Sequence, residues 1–489
     1  MDTGIFFSLK DLGLICPELT LALAAFLLIF IDICLPKEKK YWIGYLSLIS
    51  LLVTLLAVFV RWGGGDYGFA DMIISDGFAS FFKMIFLVAG ILTVMISINY
   101  LKIEKVMLGE YYIILLFAII GMMFMASGTD LISIYIALEL MALSVYFLAG
   151  SMKTNMKSNE GAMKYFLLGI FSSAIFLYGI SLIYGVTAQT NLLKIADFLA
   201  ARPDILQNHA LIMGMILLTV GLFFKIAAVP FHVWAPDAYE GAPTSITAFM
   251  SVGPKAAAFA IFVRIFVFAI PALHVKWQML LWVVSAITMT VGNVIAVSQT
   301  NVKRMLAYSS IAHAGYMLLG LVAYNEYGLR GIMIYLFIYA FMNIGAFTVV
   351  ILLRRKDIVG DRLEDFSGLA KKAPVAAAIM LIFLLSLAGI PPTAGFIGKF
   401  FLFAAIVKAG FYWLAVIAVL NTAVSLYYYF RIVVYMYMGD SAEEAGLAFS
   451  PAVITALLVM VFFTMAIGIY PQPWSKLAAS TIEFWFPLP

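Results

Sequence analysis

The sequence predicts an all-α integral membrane protein with about 14 transmembrane helices. Only 11% of its 489 residues are charged and 64% are hydrophobic, whereas a typical soluble domain carries about 25% charged residues. The mean hydropathy of +1.06 points the same way. One helix needs about 20 apolar residues to cross a bilayer, so the fourteen apolar runs of this chain leave no room for a soluble domain.

Each apolar run is long enough to predict one spanning helix. The runs lie near residues 12–35, 41–61, 78–101, 111–129, 131–150, 161–186, 209–228, 242–268, 274–298, 303–324, 330–353, 373–407, 411–438 and 451–472. The seventh continues past Pro230 into a short second piece, and the twelfth is too long for one crossing and contains Pro391 and Pro392. Because proline removes a backbone hydrogen bond and clashes with the preceding turn, helices 7 and 12 are predicted to be broken.

Loop charges predict that both termini lie outside the cell. One set of alternate loops holds sixteen Lys and Arg residues, and the other set, which includes both termini, holds eight. Cytoplasmic loops carry the excess of basic residues, and an even number of spans agrees with termini on one side. The loop with Asp440, Glu443 and Glu444 lies on the predicted cytoplasmic side, but acidic residues contribute little to this rule.

A faint internal repeat divides the chain. The sequence GAMKY at 161–165 and the sequence GIMIY at 331–335 each open an apolar helix, and each precedes, by about sixty residues, a proline-interrupted helix that carries a lysine. Transporters are often built from such paired halves. We therefore predict a three-helix segment over 1–110, a first repeat over 111–268 (helices 4–8), a second repeat over 269–438 (helices 9–13), and helix 14 with a tail over 439–489.

Several chemistries have no signature in this sequence. Phosphate-cradling glycine loops, dinucleotide fingerprints and Cys/His clusters with metal-ligand spacing are missing. The two cysteines, Cys16 and Cys34, stand at opposite ends of the first run, so they can neither pair nor ligate a cluster together. We expect no redox centre and no nucleic-acid partner for this chain, and any redox chemistry is expected elsewhere.

Six cationic residues lie inside apolar runs: Lys83, Lys225, Lys255, Arg264, Lys399 and Arg431. Three of them, Lys83, Arg264 and Arg431, are near helix ends, where long side chains usually extend to the interface, and we predict structural roles for them. Glu18 and Asp32, which flank helix 1, are likewise predicted to be interfacial.

Lys225, Lys255 and Lys399 are well inside their runs, and each neighbours a helix-breaking proline. A charge at mid-depth costs at least about 2.5–3.5 kcal/mol, so these lysines must face the bundle interior or water. Three structural salt bridges are the rival interpretation. It is disfavoured because Glu139 is the only clearly central carboxylate. An excess of buried cations fits proton carriers better than static pairs.

Glu139 interrupts an otherwise apolar helix and is predicted to lie opposite Lys225. At about 4 Å and an effective dielectric near 20, such a pair is worth about 4 kcal/mol. That energy is enough to decide whether a buried lysine keeps its proton as the carboxylate approaches or withdraws. A static structural partnership is the simpler alternative.

The prolines predict local water beside two of the lysines. Pro230 would free the carbonyl of Ile226, next to Lys225, and Pro391 and Pro392 would free the carbonyls of Leu387 and Ala388. Unpaired backbone at membrane depth is tolerated only where it is buried in protein or lines a wet cavity. We therefore predict a hydrated path at mid-membrane.

Three further residues are candidate relay members. His232 follows the first break and would pass protons between Lys225 and Lys255, since histidine titrates in a suitable range. His313 in helix 10 lies between the two lysine-bearing halves, where a core role is an equal alternative. Lys164, just inside helix 6, is either an interfacial residue or an outer member of the relay.

Long stretches of the chain resemble one known family. The stretch FKIAAVPFHVWAPDAYEGAPTSITAFMSVGPKAAA, with CPELTLALAAFLLIFIDI, IALELMALSVYFLAG, GAMKYFLLGIFSSAIFLYGI, QTNVKRMLAYSSIAHAGYMLLG and LSLAGIPPTAGFIGKFFLF, resembles the antiporter-like membrane subunits of proton-pumping NADH:quinone oxidoreductase, respiratory complex I. The N-type subunits are most similar. The longest type carries a C-terminal extension, whereas this chain stops about seventeen residues after helix 14, and the M type usually has a glutamate where GFIGKF supplies Lys399.

The resemblance implies two antiporter-like repeats with broken helices 7 and 12. It implies that Glu139 pairs with Lys225, that Lys255 is the central lysine, that Lys399 faces the exit side, and that His232 and Lys164 are auxiliary. It also implies partners in other membrane subunits of a complex in the bacterial inner membrane. NADH, FMN, iron–sulfur clusters and quinone would then bind in other subunits, with no cofactor in this chain.

Two other functions remain open. A subunit of a multisubunit Na⁺/H⁺ antiporter or of a related hydrogenase would share the helix 5 and helix 7 pair. A non-transporting membrane scaffold would tolerate neutral residues at the buried lysines without loss of pumping.

Overall fold

A computed structural model describes residues 8–104, 108–354, 360–440 and 450–482. Outside them lie Lys105, Arg355 and Lys356, which are among the sixteen basic loop residues counted for orientation, and the acidic Glu443 and Glu444. The α-helices within these residues are α1 Leu9–Leu14, α2 Cys16–Cys34, α3 Tyr41–Val60, α4 Gly77–Ile103, α5 Gly109–Ser127, α6 Leu131–Ala149, α7 Met156–Thr187, α8 Leu192–Ala201, α9 His209–Ile226, α10 Trp234–Gly241, α11 Thr244–Phe262, α12 His274–Ser298, α13 Val302–Ala323, α14 Glu326–Leu353, α15 Leu369–Lys372, α16 Pro374–Ala388, α17 Ala394–Lys408, α18 Tyr412–Met438, α19 Pro451–Ile469 and α20 Gln472–Ser480. A short antiparallel hairpin pairs β1 Asp66–Gly68 with β2 Ile73–Ser75.

The prediction of an all-α membrane protein with about 14 spans is confirmed. In the described ranges, thirteen helical stretches are long and apolar enough to cross a membrane. The consecutive shorter helices α16 and α17 supply the remaining, broken crossing. The sequence did not predict the short helices α8 and α20 or the hairpin, which lie in the connections between spans or after the last one.

Both crossings predicted to be broken consist of two helices. The helix α9 ends at Ile226, where Ala227 adopts a left-handed conformation (φ +56°) and the Ala228 amide donates to the carbonyl of Phe223. The helix α16 ends at Ala388 in the same way, with Gly389 at φ +84°. The prolines lie in the connections to α10 and α17, so each break occurs in the interior of a crossing.

The most buried helices are α11 and α14, which lie at the centre of the bundle. Every residue of α11 is buried, and α14 is buried along almost all its length. Peripheral helices expose large apolar side chains, among them Leu56, Phe171, Trp413 and Leu458. The predicted repeat has a counterpart in packing, since α7 contacts α9 and α10 just as α14 contacts α16 and α17.

Contacts between loops separate two ends of the bundle. At one end Lys157 pairs with Glu240, and Arg354 pairs with Glu104. These residues lie in or beside the connections that belong to the lysine-rich set. At the other end the carbonyl of Asp71 accepts hydrogen bonds from two later connections. Loops that the sequence assigns to one side therefore do meet each other.

Lys83, Arg264 and Glu18 are buried inside the bundle and do not extend to the membrane surface, which corrects the expectation of surface exposure for Glu18 and for the two long side chains. Lys83 Nζ lies 2.7 Å from Glu18 Oε1, and Glu18 is 0% exposed. Arg264 is 1% exposed and forms a two-point ion pair with Asp76. Ion pairing inside the bundle satisfies these charges, so none of the three needs to reach the membrane surface.

Candidate functional site

Lys225 is the last lysine before the first helix break and is buried. Lys225 stands one residue before the end of α9. Its ammonium lies 3.4 Å from the hydroxyl of Tyr146. It does not form a direct ion pair with Glu139, whose oxygen Oε1 is buried and has no hydrogen-bond partner. The contact distance of about 4 Å expected for this pair is therefore wrong for this conformation, although the two charges still act on each other electrostatically.

Lys255 stands at mid-depth in α11, with its ammonium held by one residue of α13. Nζ donates to the carbonyl of Ser310 at 2.7 Å and to its hydroxyl at 2.5 Å. The helix contains Pro254, and the carbonyl of Met250, four residues earlier, instead accepts from the hydroxyl of Tyr239. No carboxylate of the described chain pairs with Lys255.

His313 lies three residues after Ser310 on α13 and is also fully enclosed. Its Nδ1 is 2.5 Å from the hydroxyl of Tyr335, and its Nε2 is 3.1 Å from the hydroxyl of Tyr429. Lys255 and His313 are each eleven residues from the start of helices that begin at the same end of the bundle. At 1.5 Å per residue, both stand about 16 Å from that end.

Lys399 lies on α17 and points back across the second break. Its ammonium donates to the carbonyls of Leu387 and Ala388 at 3.1 and 3.0 Å, which are the two carbonyls that the prolines were predicted to free. It also lies 4.9 Å from the ring centre of Tyr316. Gly389 lies beside the lysine stem, and an added Cβ there would be 2.8 Å from Lys399 Cδ.

Aromatic rings separate Lys225 from Lys255. From Tyr146, which touches Lys225, successive ring contacts run through Tyr165 and Trp234 to Tyr239, whose ring centre is 6.0 Å from Lys255 Nζ. His232 makes no hydrogen bond to either lysine, and its Nδ1 is buried without a partner. The structure therefore does not bring His232 into contact with the two groups it was predicted to bridge.

Lys164 belongs to a different setting, an ion-pair network at the lysine-rich end of the bundle. Its side chain is 45% exposed, and its ammonium pairs with Asp237 and Glu160 at 2.8 and 2.7 Å. Arg304 joins Asp237 to Glu240. Lys164 is therefore a partly exposed residue at the foot of α10 and not a member of the buried row.

A cavity of about 400 Å³ opens beside this network, lined among others by Lys303, Thr244 and Tyr100. Arg354 lines it as well. Burial alone would lower the pKa of this guanidinium, but the hydrogen bond to Glu104 and the attraction of that carboxylate, with smaller effects of Tyr100 and Asp361, together raise that pKa. The cavity reaches the first residue of α11, the helix that carries Lys255 eleven residues further on.

Sequence reasoning missed the hydroxyl groups that hold the buried bases. Ser310 could have been found because it lies one helical turn before His313. Tyr335 is the last residue of the repeated five-residue motif, and Tyr146 follows Glu139 by two turns. Tyr429 carries no such signal, because tyrosine is common in this part of the chain.

The buried groups of this site can bind and release protons. Among the described residues, no group of three His, Cys, Asp or Glu side chains could hold a metal ion. The buried ammonium groups contact hydroxyl and carbonyl oxygens, which accept hydrogen bonds from the protonated form.

Comparisons with known proteins agree with one another. The family model described as NADH:quinone oxidoreductase/Mrp antiporter, TM, matches residues 128–425. A protein of Trichlorobacter lovleyi named NADH-quinone oxidoreductase subunit N is 46% identical over 486 residues, which covers 99% of this chain and 100% of that protein. A protein of Rhizobium meliloti named NADH-quinone oxidoreductase subunit N 2 is 45% identical, with 94% and 96% covered.

Solved structures give the same result. A chain in respiratory complex I from Thermus thermophilus is 32% identical with a TM-score of 0.79, covering 95% of this chain and 99% of that one. A chain of an archaeal respiratory membrane complex, the membrane-bound sulfane sulfur reductase, has a TM-score of 0.85 at 25% identity, with 97% and 98% covered. A chain of the Mrp complex from Dietzia sp. is similar in fold, with a TM-score of 0.81 at 21% identity and 98% of both chains covered.

Proposed function

The chain belongs to the NADH:quinone oxidoreductase/Mrp antiporter family of membrane proteins, in its N-type branch, and from this membership we propose that it moves protons through the membrane as a subunit of a respiratory NADH:quinone oxidoreductase. Its partners are the other membrane subunits of that complex. Electrons pass through other subunits, where NADH, FMN, iron–sulfur clusters and quinone bind. This chain supplies a proton pathway.

The observation that supports this proposal best is the setting of Lys255 and Lys399. Both ammonium groups are almost completely buried, and neither pairs with a carboxylate of the described chain. A static buried cation needs an opposite charge to offset its desolvation. Polar oxygens alone hold the charge weakly, which suits a group that must accept and release a proton in each cycle.

The geometry supports a lateral path in three sections. Glu139 and Lys225 form the first, with the carboxylate tuning the lysine from a distance and Tyr146 in contact with the ammonium. Lys255 is the central carrier, bound to Ser310. His313 follows Ser310 on α13, and the ring of Tyr316, 5.9 Å from the imidazole and 4.9 Å from the ammonium of Lys399, leads to the third section.

The row lies near mid-membrane, which has an energetic consequence. Moving a charge across the membrane field costs about 2.3 kcal/mol per 100 mV. Transfer along a level row does little work against that field, so protons can shift between half-channels at small cost. The polar cavity at the lysine-rich end is the proposed inlet, with Lys164 and His232 in auxiliary positions.

The placement of the chain in the cell follows from its relatives and its loops. The relatives are bacterial proteins, which supports a multi-pass location in the inner membrane. The loop charges support termini on the outer, periplasmic face. The packing of α7 and α14 against the broken helices supports two repeats over 111–268 and 269–438, preceded by a segment over 1–110 and followed by helix 14 and its tail over 439–489.

Replacing Lys255 by methionine in the assembled complex tests the proposal. Methionine keeps the length and apolar stem of lysine but cannot bind a proton. In inverted membrane vesicles we expect electron transfer from NADH to an artificial acceptor to continue, because it uses other subunits, while acidification of the vesicle interior is lost. The matched control is Lys194→Met, since Lys194 is an exposed lysine on the short helix α8.

The outcomes separate the rival functions. A Lys255→Met complex that assembles and acidifies vesicles normally would support the scaffold and contradict proton transfer. A requirement for Na⁺ in the wild-type assay, with no dependence on NADH, would support the antiporter alternative.

A further inference from the structure

A second buried acid–base pair lies outside the proposed path, in the N-terminal helices. Glu18 on α2 and Lys83 on α4 are 0% and 3% exposed, and their charged atoms are 2.7 Å apart. The hydroxyl of Ser127 donates to the same carboxylate oxygen, Oε1, at 3.2 Å. The other oxygen, Oε2, is buried and has no hydrogen-bond partner.

A neighbouring ion pair shows what a saturated structural pair looks like in this protein. Both carboxylate oxygens of Asp76 accept from Arg264 at 2.8 Å, and Oδ1 also accepts from the amide of Ala79. Arg264 further donates to the carbonyl of Ala126, next to Ser127, so the two ion pairs flank the same end of α5. Asp76 has no free oxygen for a proton, whereas Glu18 has one.

An unpartnered carboxylate oxygen in a buried site is costly, because its hydration is lost and nothing replaces it. Binding a proton there lowers the cost, because a neutral carboxyl group loses less hydration on burial than a carboxylate does. Glu139, the carboxyl group of the proposed path, shares this feature: its Oε1 is buried and unpartnered. Glu18 thus shares a buried, unpartnered carboxylate oxygen with the carboxyl group of the proposed path, and the proposed path gives it no role.

The position of the pair indicates which end of the pathway it serves. Glu18 is two residues from the start of α2, and Lys83 is six residues from the start of α4. At 1.5 Å per residue, both are within about 10 Å of the end of the bundle that bears the hairpin. That end is opposite the lysine-rich loops and is the predicted outer side.

We propose that Glu18 is a second proton-binding carboxyl of this chain, with Lys83 as its counter-charge, on the outer side of the membrane. An arriving proton binds Oε2, so Glu18 becomes a neutral carboxylic acid while Lys83 stays an ammonium. Loss of that proton to the outer side restores the carboxylate and the ion pair. This inference rests on the proposed function, since it adds a station to the same transport.

Dicyclohexylcarbodiimide tests the chemistry directly, because it modifies protonated carboxyl groups in apolar surroundings and leaves carboxylates intact. The whole complex in its membrane is treated, and the chain is analysed by mass spectrometry. We expect modification at Glu18, more of it in Lys83→Met, and none at Asp76, which serves as the internal control. Absence of modification at Glu18 in both wild type and Lys83→Met would overturn the proposal.

Pumping gives the second readout. We expect Glu18→Gln to translocate fewer protons per NADH oxidised, because glutamine keeps the shape but cannot bind a proton. A double variant, Glu18→Gln with Lys83→Met, removes both charges and should assemble well but pump no better. Wild-type pumping by that double variant would show a purely structural pair. If Lys255→Met stops pumping while Glu18→Gln does not, the proposed function stands and this inference fails.

Discussion

Replacing Ser310 by alanine removes one of two hydrogen bonds that hold the ammonium of Lys255. The hydroxyl bond is 2.5 Å and the carbonyl bond, which survives, is 2.7 Å. A hydrogen bond to a charged group is worth about 1.5–3 kcal/mol. Since 1.4 kcal/mol is a factor of ten, protonated Lys255 should be disfavoured roughly ten- to 150-fold. We expect slow acidification of inverted vesicles with normal assembly.

The assay compares the rates at which vesicles are acidified during NADH oxidation. Each rate is divided by the rate at which the same preparation passes electrons from NADH to an artificial acceptor. Ser285→Ala is the matched control, because Ser285 is equally buried but donates to the carbonyl of Gly315 and touches no lysine. Ser310→Thr keeps a hydroxyl and should retain more pumping than Ser310→Ala. Equal acidification by Ser310→Ala and wild type, or an equal loss in Ser285→Ala, would refute the assignment of Ser310 as the support of Lys255.

Three other predictions follow from the geometry. Glu139→Ala should sharply lower pumping in an assembled complex, and Glu139→Asp should be milder because it keeps the charge; normal vesicle acidification by the alanine variant would contradict a role in tuning. A cysteine introduced at Lys371 should react only with reagents on the cytoplasmic side, and one at Asp71 only from outside; the reverse pattern would overturn the loop-charge argument. Gly389→Ala should lower thermal stability more than Gly410→Ala, because both glycines have φ near +84° (+84° and +83°) but only the first has a neighbour 2.8 Å away; equal losses would mean that the lysine stem moves aside.

The spanning helices could be predicted from sequence because lipid imposes a simple rule. Each crossing must be long, apolar and helical, so composition alone locates it. The breaks at Pro230 and at Pro391 and Pro392 were also predictable, since proline removes a helix hydrogen bond, although α11 continues through Pro254. That reasoning also predicts that the carbonyls of Leu387 and Ala388 lack their helix hydrogen bonds. In the structure the ammonium of Lys399 donates to both of them.

The partners of the buried bases could not be predicted in the same way. Which side chain faces Lys255 depends on how α13 is rotated against α11, and an apolar helix gives no periodic signal for its rotation. The expected contact between Glu139 and Lys225 failed for a related reason. The residue types identified the two helices, α6 and α9, but the distance between their side chains depends on packing. In the structure Tyr146 is the side chain in contact with the ammonium of Lys225.

Burial of Glu18 and Lys83 shows the limit of the argument from helix ends. Long side chains near a membrane surface usually extend to it, but that statement concerns isolated helices. Here α2 and α4 bring opposite charges together inside the bundle. A pair of this kind is visible only once the tertiary packing is known.

The two lysines at the helix breaks show how the fold can hold a charge and still release it. Lys225 is in the last turn of α9, and Lys399 bonds to the last carbonyls of α16, so each ammonium meets the negative end of a half-helix. A cation in such a place gains up to about 2 kcal/mol, against at least about 2.5–3.5 kcal/mol for placing it at mid-membrane. The helix end therefore offsets only part of that cost, which leaves the charged form of each lysine less strongly held than it would be beside a carboxylate. A carboxylate in direct contact would fix the charge, and no carboxylate of the described residues contacts Lys399, as a proton carrier requires.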